Sequence, residues 1–270
     1  MSITGKTRPL AVVTGASSGI GRSFARQLAA DGCDLILVAR REFVLESLKE
    51  ELEKQYGVLV EAFPADLTQL DEIQRVEKRL EACENLMYLV NCAGFGTGTG
   101  MFPNVDVNLE SQMLMLHTLA PMRLSRVALI PMTLHQKGYL INVASCAAFL
   151  ASRGAADYAA TKAFLVSFSR NLQCDCAGRG IHVQALCPGF VRTGFHQSET
   201  MKSSAMADQI PRWLWLDADW LVKKSLKQVR KRGFRRVVCV PSFRYKVLVG
   251  TLFSWFLSPL RVLFSGGTMR

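Results

Sequence analysis

The chain has 270 residues, of which 49% are apolar, and a net charge of +11. That is enough apolar chain for one globular domain with a substantial core. The charge excess is local: residues 1–201 balance at 19 basic and 19 acidic, while 202–270 carry 14 Lys or Arg against Asp208, Asp217 and Asp219. A basic face confined to one quarter, without interleaved aromatic positions, argues against a nucleic-acid binder. Eight scattered Cys lack paired metal-ligand spacing, so no metal is expected, and they fit a reduced, cytoplasmic setting. Residues 1–9 are short and polar and predict no secretory signal.

Residues 10–14, Leu-Ala-Val-Val-Thr, are an apolar, β-branched run that predicts a buried strand. The strand leads into Gly15-Ala-Ser-Ser-Gly19-Ile-Gly21, after which 22–30 reads as a helix. In that order, the glycines let backbone approach a pyrophosphate, and the helix start offers free N–H groups and a positive dipole end. A second strand at 35–39 ends at Arg40 and Arg41. The adenosine ribose of a dinucleotide sits at such a strand end, where an acid holds the free 2′-hydroxyl of NAD and a guanidinium suits the 2′-phosphate of NADP. Two Arg and no acid favour NADP(H).

Helix is predicted at 42–56 and strand at 58–63, followed by Asp66 and Leu67. Asp66 either accepts from an adenine amino group or caps the next helix, whose buried stripe is Ile73, Val76 and Leu80. A fourth strand at 86–90 runs into Asn91-Cys-Ala-Gly94. Alternating strands and helices imply a parallel sheet covered on both faces, with ligands bound beyond the carboxyl ends of its strands.

A long helix spans 109–134, and a strand at 138–143 delivers Ser145. Tyr158 and Lys162 are four apart in an Ala-rich run and share one helix face. A phenol with a pKa near ~10 is a poor acid or base at neutral pH. An adjacent ammonium favours the phenolate and draws that pKa down, while Ser145 can donate to a carbonyl that Tyr158 protonates. The set suits carbonyl reduction or alcohol oxidation, with the hydride carried by a cofactor. The helix continues through Phe164, Leu165, Phe168 and Leu172, and 181–186 is the sixth strand.

With Thr14-Gly-Ala-Ser-Ser-Gly-Ile-Gly21, Asn91-Cys-Ala-Gly94, Ser145 and Tyr158-x-x-x-Lys162 in order, residues 8–195 closely resemble the short-chain dehydrogenase/reductase family. The resemblance implies a Rossmann-type α/β fold, a doubly wound parallel sheet of about seven strands, NAD(P)(H), and a Ser–Tyr–Lys catalytic group. It puts Gly15, Ser17, Ser18, Gly19 and Ile20 around the pyrophosphate and Asp66 and Leu67 beside adenine. Asn91, Ala93 and Gly94 then line the cofactor groove. Pro188, Gly189, Val191 and Thr193 match the segment that holds the nicotinamide carboxamide, and Tyr158 and Lys162 reach the nicotinamide ribose. Family members commonly carry Asn on the long helix, where it supports a water-linked proton relay; the matching position here is His117. Its imidazole either serves that relay, with a near-neutral pKa that shapes the pH profile, or is satisfied inside the helix packing. Cys92 replaces a second Asn, a small-for-small change expected to be harmless. The resemblance also implies a homodimer or homotetramer built on the two long helices.

The catalytic domain is expected to cover 1–240, including a substrate lid at about 190–216, with a hydrophobic extension at 241–270. Phe195, Met201, Met206, Trp213, Leu214, Trp215 and Leu216, with Phe95 and Phe149 across the cleft, read either as an apolar lid over a bulky carbonyl or as ordinary packing. Asp217 and Gly233 bracket a helix with a Leu221, Val222, Leu226, Val229 stripe and a Lys-rich opposite face. A seventh strand is predicted at 235–240. Residues 247–260 carry no charge and are too few to span a bilayer as a helix. They either contact a membrane surface beside the cationic face or pack within the protein. The expected activity is NADPH-dependent reduction of a hydrophobic ketone or aldehyde, or the reverse. The alternatives are a 3-oxoacyl thioester reductase and an NADPH-binding membrane-surface scaffold without turnover.

Overall fold

The computed structural model describes residues 8–97, 101–193, 210–231, 233–234 and 236–250. Seven strands form one parallel sheet: β1 (Leu10–Thr14), β2 (Asp34–Ala39), β3 (Val60–Pro64), β4 (Leu86–Asn91), β5 (Gly138–Val143), β6 (Ile181–Leu186) and β7 (Val238–Cys239). Their spatial order is β3-β2-β1-β4-β5-β6-β7, so the winding reverses between β1 and β4. Such a reversal opens a crevice beyond the strand ends.

Side-chain alternation sets the two layers. Ala11, Val13, Leu35 and Leu37 face one way, against α1 (Gly19–Ala30), α2 (Glu42–Tyr56) and α7 (Ala218–Val229). Val12, Ile36, Val38 and Leu89 face the other way, against α3 (Leu70–Glu81) and α5 (Ala120–Leu134). A third cluster joins α6 (Ala156–Asp175), through Leu165 and Val166, to α8 (Phe243–Val249), through Tyr245 and Val249. Strand register stacks Tyr88 on Tyr139 at 4.7 Å and sets Tyr139 edge-on to His182 at 5.6 Å.

The long helix 107–134 is a composite. α4 (Val107–Leu114) passes into a π-helical turn at Met115–Leu119 and then into α5. It is long and apolar enough to cross a membrane by length and composition, but half of that stretch is buried against the sheet and α3.

Two expectations are corrected at the C-terminal side. The helix after Asp217 stops at Val229 rather than running to Gly233, because Arg230 turns out to Asp31 (2.7 Å) and the Tyr88 hydroxyl (3.0 Å). The seventh strand is only Val238–Cys239, since β6 offers it partners at Ala185 and Leu186 alone. Phe195, Met201, Met206 and residues 251–270 lie outside the described residues, so the lid at those positions and the rest of the uncharged run are not placed.

Candidate active site

The carboxyl ends of the strands open on one cavity of about 880 Å³. The glycine turn after β1 forms one wall. Gly15 (φ +67°) sits so close to β4 that a Cβ there would lie 2.8 Å from the Ala93 Cα. A Cβ on Gly21 would collide with the Gly15 carbonyl oxygen. Thr14 closes the same corner, its Oγ1 accepting from the backbone of Cys92 and Ala93, each at 3.0 Å. α1 opens here with no acidic residue in its first turn and no side chain capping its N–H groups. A tight glycine cradle at an uncapped helix start fits a pyrophosphate.

At the end of β2, Arg40 and Arg41 both line the cavity. Arg41 is held on the glycine turn, donating from Nη2 to the Ser17 Oγ (2.9 Å) and carbonyl (3.2 Å). After β3, Asp66 lines the cavity and also makes a turn, its Oδ1 accepting from the Thr68 backbone (3.1 Å) and hydroxyl (2.9 Å). The N-cap position of the next helix is Gln69, not Asp66, and its side chain makes no cap bond. Ser18, Ile20, Leu67, Ala93 and Gly94 line the cavity as well.

Asn91 is not among the lining residues, which corrects its assignment to the cofactor groove. One position before the turn, alternation aims its side chain inward. There Nδ2 donates to Asn142 Oδ1 (2.9 Å), and Asn142 passes the ladder on to Ser169 (2.9 Å). Cys92, the next residue, takes the place in the cavity wall.

On the opposite wall the structure brings Ser145, Tyr158 and Lys162 together with Pro188, Gly189, Val191 and Thr193. Ser145 leaves β5 through a short 3-10 turn, its Oγ accepting from Ala147 N at 3.1 Å. Tyr158 lies in the first turn of α6 and Lys162 one turn on. Desolvation pushes the Tyr158 phenol above its ordinary value, and a hydrogen bond from Ser145 partly offsets that. The sequence expects Lys162 to lower this phenol. Instead the ammonium donates to the Val143 carbonyl (3.2 Å) and stands 5.6 Å from the Tyr158 ring centre, and it is not among the groups that shift the phenol.

Lys162 is 6% exposed, and burial lowers its pKa from 10.5 to about 8. Between those values the unfolded chain holds a proton that the folded chain has released, so stability rises as pH climbs from 8. Below pH 8 the penalty is present in full, on the order of 3 kcal/mol by the usual conversion. It outweighs the ~1 kcal/mol net of one hydrogen bond to Val143. Lys162→Met is therefore expected to melt higher than wild type at pH 7, with the gain shrinking towards pH 10. Thermal melts across that range test it, and a lower melting point at pH 7 contradicts it.

His117 resolves towards packing. The Phe95 backbone N–H donates to Nε2 (3.2 Å), so Nδ1 carries the hydrogen and points to Thr161 Oγ1 at 3.1 Å. Thr161 in turn donates to the Tyr158 carbonyl (2.8 Å). Burial and the Lys162 charge hold the imidazole well below its ordinary pKa. A near-neutral titration of His117 shaping the pH profile is thus corrected: both ring nitrogens are engaged and the ring is neutral.

Among the aromatic residues expected on the substrate side, Phe95 lines the cavity and three others do not. Phe149 packs into the cluster around Cys146 and Val240. Trp213 is 58% exposed and holds Arg244, whose Nη1 donates to its carbonyl at 2.6 Å. Trp215 tilts against Phe190 at 5.9 Å. The short 3-10 segment at 212–214 carries Trp213 outward, an orientation that spacing does not encode. The cavity also takes Leu150, Arg153, Phe190, Tyr245 and Leu248, none of them assigned to the site from sequence. Arg153 sits in the loop before Tyr158, and only its place between Ser145 and Tyr158 could have marked it.

A family model described as short chain dehydrogenase matches residues 9–204. The very-long-chain 3-oxoacyl-CoA reductase-A of Danio rerio is 32% identical over 187 residues, covering 68% of this chain; the match spans only 58% of the fish protein. A short-chain dehydrogenase from Sphingobium yanoikuyae, solved in complex with NADPH, is 30% identical with a TM-score of 0.80, covering 97% of this chain and 96% of that one. A bulky-bulky ketone specific alcohol dehydrogenase from Comamonas testosteroni is 30% identical with a TM-score of 0.76, covering 97% and 95%.

Proposed function

The chain belongs to the short-chain dehydrogenase family, and on that premise we propose that it is an NADP(H)-dependent oxidoreductase that reduces a bulky, hydrophobic ketone or aldehyde, or runs the reverse oxidation. The observation that carries this reading is one cavity of about 880 Å³ that contains both the glycine cradle and the Ser145–Tyr158–Lys162 wall. Its volume lies in the range of a cofactor-plus-ligand cleft. Phe95, Leu150, Phe190 and Leu248 give the wall beside Ser145 an apolar character.

Gly15, Gly19 and the start of α1 would hold the pyrophosphate, Arg40 and Arg41 the 2′-phosphate, and Pro188 to Thr193 the nicotinamide end. When bound, the cofactor supplies or accepts a hydride. The chain supplies the rest. Ser145 orients the carbonyl oxygen, and Tyr158 gives that oxygen its proton. Lys162, held on the Val143 carbonyl, would reach the nicotinamide ribose rather than lower the phenol. Because burial keeps the phenol protonated, the resting enzyme is set to donate.

Spectrophotometric assay of a panel of aryl ketones, aldehydes and alcohols at the nicotinamide absorbance tests the reading; no turnover of any member with NADPH or NADP⁺ sinks it. The likeness to the fish reductase favours one second reading, a 3-oxoacyl thioester as substrate, and a 3-oxoacyl-CoA in the same panel separates the two.

The arginines carry a further expectation. A guanidinium bond to a phosphate contributes roughly 1.5–3 kcal/mol, so Arg41→Ala should weaken NADPH about tenfold or more while leaving NADH almost unchanged. Arg40→Asp should move preference further towards NADH by direct repulsion. Titration of both cofactors decides it, and an unchanged NADPH-to-NADH ratio in both variants removes the pair from the phosphate site.

A further inference from the structure

The C-terminal helix α8 bears on the cavity from a side that no sequence motif marks. Tyr245 is 2% exposed, and its ring lies so tightly on Gly189 that any Cβ there would run into it. The absence of a side chain at Gly189 is therefore what admits the ring. The Tyr245 hydroxyl accepts from Phe190 N–H at 2.9 Å and donates to the Leu214 carbonyl at 2.8 Å. One phenol thus joins two segments 24 residues apart that also pair directly, Leu216 N–H to the Phe190 carbonyl (2.8 Å) and Arg192 N–H to the Leu216 carbonyl (3.0 Å).

The joined segment reaches the chemistry. Cys146 N–H donates to the Pro188 carbonyl at 2.8 Å, and Cys146 follows Ser145. A continuous set of hydrogen bonds and short backbone steps therefore runs from Leu214 through Tyr245, Phe190 and Pro188 to the turn that aims Ser145. One turn after Tyr245 on α8, Leu248 lines the same cavity. Phe243 and Val247 point outward at 78% and 64% exposure, so the helix shows the cavity only its Tyr245 and Leu248 side.

We propose that α8 is the substrate-side wall of the cavity and that Tyr245 is its positioning residue, holding the Pro188–Phe190 backbone in place so that the space beside Ser145 admits bulky carbonyl compounds in one orientation. Tyr245 acts through the segment it ties, and Leu248 meets the substrate. This rests on the carbonyl-reductase reading above.

Tyr245→Phe keeps the ring on Gly189 and removes only the hydroxyl, leaving the Phe190 N–H and Leu214 carbonyl without that partner. The loss of one such hydrogen bond, roughly 0.5–1.5 kcal/mol, corresponds to a local change of up to about tenfold. Amide hydrogen exchange at 189–191 should accelerate about tenfold in the variant. The ratio of kcat/KM for an aryl ketone to that for a small aldehyde should fall by a similar factor, mainly through KM. Leu248→Trp should cut the ketone selectively and spare the aldehyde. Exchange at 189–191 that is unchanged in Tyr245→Phe overturns the proposal, as does a substrate ratio that stays within twofold in both variants. If wild type turns over no carbonyl, the functional reading fails, and the exchange comparison still decides whether Tyr245 holds the segment.

Discussion

Tyr158→Phe is expected to leave a folded protein that binds NADPH with nearly wild-type affinity and turns over about 10²–10⁴-fold more slowly. The substitution removes one oxygen from a half-buried ring and leaves every contact of the ring's carbon atoms in place. Its packing cost is small, because the lost group is polar and its hydrogen bond comes from Ser145, which still accepts from Ala147 N–H. The loss of rate is large because, among the described residues of this wall, no other suitable donor is aimed at the substrate space. Ser145 is a hydroxyl of far higher pKa, His117 is neutral with its hydrogen committed to Thr161, and Lys162 points to the Val143 carbonyl. Steady-state rates beside a fluorescence titration of NADPH make the separation. Turnover within tenfold of wild type removes Tyr158 from proton transfer.

Gly21→Ala should weaken NADPH about tenfold or more, the effect of losing a hydrogen bond to a charged phosphate worth roughly 1.5–3 kcal/mol. The new Cβ would run into the Gly15 carbonyl oxygen, and that oxygen belongs to backbone that cannot yield cheaply. Gly15 is itself pressed against Ala93, and Thr14 accepts from two amides of the β4 turn. The turn must therefore open away from α1, which spreads the cradle for the pyrophosphate. Overpacking of this kind also costs stability, typically ~1–3 kcal/mol. Gly57→Ala makes the control. Gly57 has φ +64° with nothing within 4 Å of a Cβ, so its substitution costs backbone strain far from the cavity. Calorimetric titration of the two variants should show a stability loss in both and an affinity loss in Gly21→Ala alone. Equal NADPH affinity in the two contradicts the close-contact account.

Stability should respond to acid through His117 in the sense opposite to a salt-bridged histidine. Its folded pKa is depressed, so below about pH 6.5 the unfolded chain takes a proton that the folded chain cannot, and stability falls as pH falls. The buried imidazole is thus part of why the fold should be less secure in mild acid.

The sequence by itself determined the strand and helix order, the parallel sheet, the glycine turn and the Ser145–Tyr158–Lys162 group. Each of these is local. Strand character shows in short β-branched runs, helix faces show at spacings of three and four, and a glycine turn between strand and helix needs no distant partner to be legible. Strands 10–14, 138–143 and 181–186 and helix 42–56 lie where periodicity puts them, because buried strands in a two-sided sheet and amphipathic helices carry their environment in their own composition.

Only the tertiary structure decided which way the borderline side chains turn and what surrounds the titratable ones. Asn91 and Cys92 are neighbours in one motif, yet one position of alternation sends the first into a buried amide ladder and the second into the cavity wall. His117 is a relay candidate by position, and the π turn and a backbone donor 22 residues away make it a neutral packing group. Trp213 has the composition of a lid and sits on the outside, whereas Tyr245, 55 residues beyond Phe190, closes the cavity wall. Desolvation and long-range hydrogen bonds depend on what the chain brings near each group, and no local pattern carries that information.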